Sequence, residues 1–220
     1  LLAGSTTYYW RIVAKSASAS NSSATWSFST MALATALRFV PVVPCRVADT
    51  RNPTGPFGGP QIAGGATRSF TIPDSACGAP STAQAYSLNV AAVPAGPLGY
   101  LTLWPAGQSK PLASTLNSFD GRIKSNAAIV AAGAGGAINV FASDATNVVL
   151  DINGYFVPAA DPAGLAFYPV APCRVADTRQ AAALLGGPSL IGGRSRTFPI
   201  VSAAACSVPA SAQAYSLNLA

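Results

Sequence analysis

The side chains best suited to bind or react with a ligand lie in one short motif that occurs twice. The letters CRVADTR begin at Cys45 and again at Cys173. Two guanidinium groups that flank a carboxylate could clamp an anion or a substrate carboxylate. The sequence favours the alternative, a structural ion pair that ties the segment to a sheet, because the Asp already supplies a partner for the Arg. The charged members are Arg46, Asp49, Arg51, Arg174, Asp177 and Arg179.

The residue types that are absent exclude most catalytic chemistry. The chain has 220 residues, no His and seven acidic side chains, all of them Asp. Without His there is no Ser-His-Asp or Cys-His relay and no imidazole metal ligand. Without Glu or His there is no HExxH zinc site. We therefore expect no enzymatic activity, no catalytic residues, no bound metal and no cofactor.

A second group of side chains could bind sugars. Tyr100, Trp104 and Phe119 could form an aromatic platform, with Arg122 and Lys124 as polar neighbours. The alternative is that Tyr100 and Trp104 are core or rim residues of a single strand, and the sequence favours it.

The four cysteines predict two disulfides. Cys45 and Cys77 are 32 residues apart, and Cys173 and Cys206 are 33 apart. Neither spacing fits a CxxC redox or zinc motif. We predict the pairs Cys45–Cys77 and Cys173–Cys206, each worth roughly 3–4 kcal/mol. Tandem disulfides indicate an oxidising compartment, and buried free thiols are the alternative.

An internal repeat organises the chain. Residues 39–51 recur as residues 167–179, with 11 of 13 positions identical at an offset of 128. Further matches follow, among them AQAYSLN at Ala83 and at Ala212. We divide the chain into residues 1–30, a linker 31–38, a complete module 39–158, a linker 159–166 and the first part of a second module, 167–220.

The pattern of the complete module predicts an all-β fold, a β-sandwich or jelly-roll-like arrangement. Turn signals separate the strand candidates, among them Asn153-Gly154. The strand candidates are 68–72, 85–93, 99–104, 127–130, 137–142, 147–152 and 155–157.

Two resemblances to known families add to this organisation. Residues 1–30, with Thr6-Thr-Tyr8 and Trp26-Ser-Phe28, resemble the last part of a fibronectin type III domain, in which Tyr8 would be the corner tyrosine. The repeat, with PCRxxDTR and the closing DINGYF at Asp151, resembles a β-module that recurs in tandem in secreted and surface proteins of bacteria. That resemblance implies a secreted or cell-surface location and no defined activity.

The net charge of +6 does not indicate a nucleic-acid partner. Residues 39–166 are neutral, and the excess is divided equally between residues 1–38 and 167–220. A protein that binds DNA concentrates basic charge on its folded unit. Pro and Gly interrupt the longest uncharged stretches, so we expect no membrane span in this segment.

Together these features predict a non-enzymatic extracellular structural repeat protein of a cell-surface stalk or filament. We expect it to self-associate with copies of the same chain, by strand addition if residues 1–30 and 167–220 are incomplete domains. The alternative is a glycan-binding adhesin or the accessory module of a secreted enzyme.

Overall fold

The computed structural model describes residues 6–30 and 36–219. The chain divides into two compact units, Leu1–Ala36 and Leu37–Ala220. Residues 31–35 of the predicted first linker lie outside the described residues. Within the described residues no helix has the length and apolar character needed to cross a bilayer.

The first unit contains two small antiparallel sheets. One pairs β1 (Thr7–Trp10) with β4 (Trp26–Ser29), and the other pairs β2 (Val13–Lys15) with β3 (Ser20–Ser22). Aromatic cross-strand neighbours hold the first sheet, since Tyr8 stacks on Phe28 with ring centroids 5.6 Å apart. The resemblance of this segment to fibronectin type III stays a prediction.

The second unit contains two four-stranded antiparallel sheets. The order is β10-β7-β12-β5 in the first and β6-β11-β8-β9 in the second. We call residues Leu37–Pro158, which hold both sheets, the sandwich. Its strands are β5 (Leu37–Asp49), β6 (Thr67–Thr71), β7 (Ala85–Pro94), β8 (Leu98–Pro105), β9 (Leu116–Ser118), β10 (Lys124–Ala131), β11 (Ala137–Ala142) and β12 (Thr146–Pro158), with 3₁₀ turns at Ile72–Asp74 and Ala134–Gly136.

Alternating side chains build one core between the two sheets. In β7, Tyr86, Leu88 and Val90 are buried, while the residues between them are half-exposed. Phe70 and Ile138 of the second sheet join the same core. This is the period-two pattern of strands with one buried face, and the predicted all-β class is confirmed.

The prediction of a turn at Asn153-Gly154 is wrong. β12 continues through both residues, and its register with β7 shifts between Ile152 and Gly154, so Asn153 is an extra residue of a β-bulge. Gly154 is needed because the Phe39 ring lies where a side chain would start: a Cβ there would be 2.1 Å from Phe39 Cζ. A close approach between strands, rather than a turn, explains the glycine.

The two ends of the sandwich are neighbours in one ladder. Leu37 at the start of β5 pairs with Pro158 at the end of β12. The predicted linker 159–166 then folds back, and Leu165 makes an isolated bridge with Phe39. In the described residues after Pro158 there are turns, isolated bridges and two 3₁₀ turns, Ile200–Ser202 and Ala204–Cys206, but no strand.

Candidate functional site

A bulge in β5 brings the charges of the repeated motif together. In a regular strand, residues three apart lie on opposite faces. The register between β5 and β12 shifts, because Leu150 pairs with Ala48 whereas Asp151 pairs with Arg46. Val47 is therefore an extra residue, and the bulge lets the side chains of Arg46 and Asp49 meet.

The resulting network joins two Arg to two Asp. Asp49 accepts hydrogen bonds from Arg51 Nε at 2.8 Å and Arg51 Nη2 at 2.6 Å, and from Arg46 Nη1 at 3.3 Å. Arg46 also donates to both carboxylate oxygens of Asp151, at 2.8 and 3.3 Å. Asp151 therefore links the motif to the central strand β12, and the sequence alone did not assign it this role.

The network holds Asp49 in its ionised form. The side chain of Asp49 is 6% exposed, while those of Arg46 and Arg51 are 50% and 48% exposed. Hydrogen bonds from Arg51 lower the pKa of Asp49 from 3.8 to about 2, against the opposing effect of burial. A carboxylate this acidic is a poor general acid or base near neutral pH. The geometry suits a structural role.

A third Arg fixes the loop that follows the motif. Arg68 donates to the carbonyl oxygens of Gly55 at 2.6 Å, Pro56 at 3.1 Å and Pro60 at 2.9 Å. Its guanidinium lies 4.9 Å from the centroid of the Phe70 ring, and burial lowers its pKa. The sequence alone did not assign Arg68 this role. The available signal was an Arg-x-Phe that recurs 128 residues later at Arg196.

The second copy of the motif repeats the contacts of Asp49 and of Arg68. Asp177 accepts bonds from Arg179 at 2.9 and 2.8 Å and from Arg174 at 2.9 Å, and these bonds lower the pKa of Asp177. Arg196 donates to the carbonyl oxygens of residues 183, 184, 187 and 188, and lies 4.8 Å from the Phe198 centroid. These local contacts are therefore reproduced, although the described residues after Pro158 contain no strand.

Both disulfides are present, as the cysteine spacing predicted. Cys45 is bonded to Cys77 with Cα atoms 5.6 Å apart, and Cys173 to Cys206 with Cα atoms 5.4 Å apart. Cys45 lies in the middle of β5, and Cys77 lies between the 3₁₀ turn Ile72–Asp74 and β7. The first bond therefore ties an edge strand to the connection between the two sheets.

The three aromatic residues of the predicted platform differ in accessibility. Trp104 is 6% exposed, and its Nε1 donates to the Gln108 carbonyl oxygen at 2.9 Å. Phe119 is 73% exposed. Tyr100 is half-buried beside Phe141, with ring centroids 5.4 Å apart.

Lys110 covers this aromatic pair. Its Nζ lies 3.6 Å from the Phe141 centroid and donates to the Tyr100 hydroxyl at 3.1 Å. Trp104 borders a shallow groove next to the edge strand β10. Tyr100 and Phe141 are half-buried whereas Trp104 is buried, so the pair is more accessible than Trp104, with the Lys110 ammonium group over one ring face.

No protein-family model, no curated protein and no solved structure matches this chain. Within the described residues, no three His, Cys, Asp or Glu side chains are grouped so as to hold a metal ion.

Proposed function

We propose that this chain is a non-enzymatic structural repeat protein that works outside the cell, as part of a surface stalk or an extracellular filament. The observation that carries the proposal is that one set of contacts recurs in both copies of the motif. In each copy the Asp is held by two Arg, and a further Arg caps the following loop. Arg and Asp side chains that are paired with each other stabilise the fold, and they leave few unpaired charges to bind a substrate.

The disulfides support a location outside the cell. All four cysteines are paired, and none is free. Disulfides persist in oxidising compartments and are rare in the cytosol.

Self-association with copies of the same chain is part of the proposal. β10 is the edge strand of its sheet, and within the described part of the chain no strand pairs with its outer side. Ile129 on this strand is 70% exposed. An exposed apolar edge can pair with a strand of a second copy.

Two measurements test this proposal. Mass spectrometry of native surface-exposed material, alkylated before and after reduction, should find all four cysteines oxidised. Sedimentation velocity should show association that rises with concentration. Ile129→Lys should weaken it, since a charge blunts an exposed edge, whereas Leu112→Lys in an exposed loop should not. Reduced cysteines would contradict the location, and a monomer at every concentration would contradict self-association.

A glycan-binding adhesin or an accessory module of a secreted enzyme is the second candidate. The adjacent rings of Tyr100 and Phe141, with the ammonium group of Lys110, favour it, because flat rings and nearby donors suit a sugar surface. A glycan array would test it with Tyr100→Ala and Phe119→Ala, and with Trp104→Phe as the buried control. Binding that is absent, or that both alanine variants leave unchanged, rules out this candidate.

A further inference from the structure

We propose that the sandwich has a mechanical function. Under tension along the chain, the first half of β5 peels away from β12, and the disulfide Cys45–Cys77 stops the peeling after a fixed extension. This inference rests on the proposed structural role, because a chain that connects a surface to something else experiences tension.

The positions of the two ends determine how tension reaches the sandwich. β5 and β12 are antiparallel neighbours, and Leu37 pairs with Pro158 while Arg38 pairs with Val157. A pull on these ends loads the outermost pair of the ladder first, then the next pair. The hydrogen bonds therefore break one after another, whereas strands pulled from opposite ends of a ladder would share the load among all of them. Breaking the hydrogen bonds one after another needs less force than breaking them all together.

The first half of β5 is also the weaker half. Residues Leu37–Pro44 are exposed or half-buried, whereas Val47–Asp49 are buried. Pro41 and Pro44 have no N–H to donate to the ladder. The pairing with β12 is interrupted between Ile152 and Gly154, and Val43 in the interrupted stretch is 86% exposed. Less apolar burial is lost when this half separates than when the buried residues Val47–Asp49 separate.

Cys45 lies at the boundary between the two halves. Once peeling reaches Cys45, the load passes through the disulfide to Cys77, and residues 46–76 carry none of it. Arg46, the first residue beyond the stop, holds Asp49 and Asp151, so the ion-pair network stays intact. The eight residues from Leu37 to Pro44 are released, which at roughly 3.6 Å each adds about 29 Å of extended chain to the tether.

Contacts near the end of the sandwich hold the first half of β5 against β12 in the absence of tension. They also allow it to pair with β12 again after tension is released. The Phe39 N–H donates to the Leu165 carbonyl oxygen at 3.1 Å, and the Leu165 N–H donates to the Phe39 carbonyl oxygen at 2.7 Å. The rings of Phe39 and Phe156 lie 5.3 Å apart. Because the covalent stop preserves the register at Cys45, the peeled segment closes against the same partners.

Optical tweezers on the full chain, tethered through peptide tags at its two ends, test this inference. We expect a reversible step of at least about 29 Å before the main unfolding of the sandwich, because the released strand adds that length and the Leu165 bridge to Phe39 opens with it. In Cys45→Ala/Cys77→Ala the step should lengthen or merge with the main unfolding. The matched variant Cys173→Ala/Cys206→Ala should keep it. Absence of the step, or the same step in Cys45→Ala/Cys77→Ala, would overturn the proposal.

Hydrogen exchange on the unloaded, oxidised protein provides a second measurement that needs no variant. The Val40 amide, paired with Tyr155 of β12, should exchange roughly tenfold or more faster than the Thr50 amide, which donates to the Val148 carbonyl oxygen of β12, because weakly buried segments open locally. Equal rates would overturn the inference. Neither experiment depends on where the protein is found, so a failure here leaves the structural role standing, and finding the protein inside the cell would contradict that role alone.

Discussion

Replacing Asp49 by Asn should destabilise the sandwich because it removes the charge on which two Arg converge. The carboxylate is 6% exposed and accepts bonds from the Arg51 side chain, the Arg51 N–H and Arg46. Its pKa of about 2, against 3.8 in a free carboxyl, corresponds to about 2.5 kcal/mol in favour of the charged form. We expect the free energy of unfolding to fall by about 2–3 kcal/mol, and the midpoint of thermal unfolding by about 10 °C.

The same residue predicts a pH dependence with a definite sign. Because the pKa of Asp49 is lower in the folded state than in the unfolded state, its contribution is complete above about pH 4 and is lost as the pH falls from about 4 to 2. Urea denaturation, followed by circular dichroism at several pH values, measures this loss. Other Asp residues also titrate, so the informative quantity is the difference in stability between wild type and Asp49→Asn.

That difference should be largest at pH 6 and should approach zero at pH 2. Asp74→Asn is the control, because Asp74 is exposed, and it should leave the stability within about 0.5 kcal/mol of wild type. A difference between wild type and Asp49→Asn that is the same at both pH values would refute the assignment of the stabilisation to the ionised carboxylate.

Two further substitutions test the packing around the core. Tyr86→Phe should cost about 1–2 kcal/mol in urea denaturation, because the buried hydroxyl donates to the Gly136 carbonyl oxygen at 2.9 Å. Gly154→Ala should cost about 1–3 kcal/mol, because the new Cβ would lie 2.1 Å from Phe39 Cζ and would displace that ring.

Two matched control substitutions separate these local packing effects from the effect that any substitution in the sandwich could have on stability. Tyr100→Phe removes a hydroxyl whose partner is the exposed Lys110 side chain, so it should change stability much less than Tyr86→Phe. A Cβ at Gly96 would meet nothing within 4 Å, so Gly96→Ala should be nearly neutral. Equal costs in either pair would contradict the packing described for that site.

The sequence predicted what depends on periodicity and on repetition. Alternating apolar residues such as Tyr86, Leu88 and Val90 were sufficient to place β7, because one face of the strand is buried. The spacing of Cys45 and Cys77, repeated once, was sufficient to pair them.

Features that depend on register were not predictable. The extra residue Val47 determines that Arg46 can meet both Asp49 and Asp151, and the local sequence has no signal for a bulge. Asn153-Gly154 has the composition of a turn, but a tertiary contact with Phe39 explains the glycine. Partners that come from a strand about 100 residues away are fixed by the assembled sheet and not by local propensity.

Immunogold labelling of native cells in the electron microscope, with antibodies against this chain, tests the proposed structural role most directly. The structural role predicts gold along fibres or stalks outside the cell, at intervals that repeat along each fibre. Gold confined to the cytoplasm, or to isolated particles that form no larger structure, would contradict it.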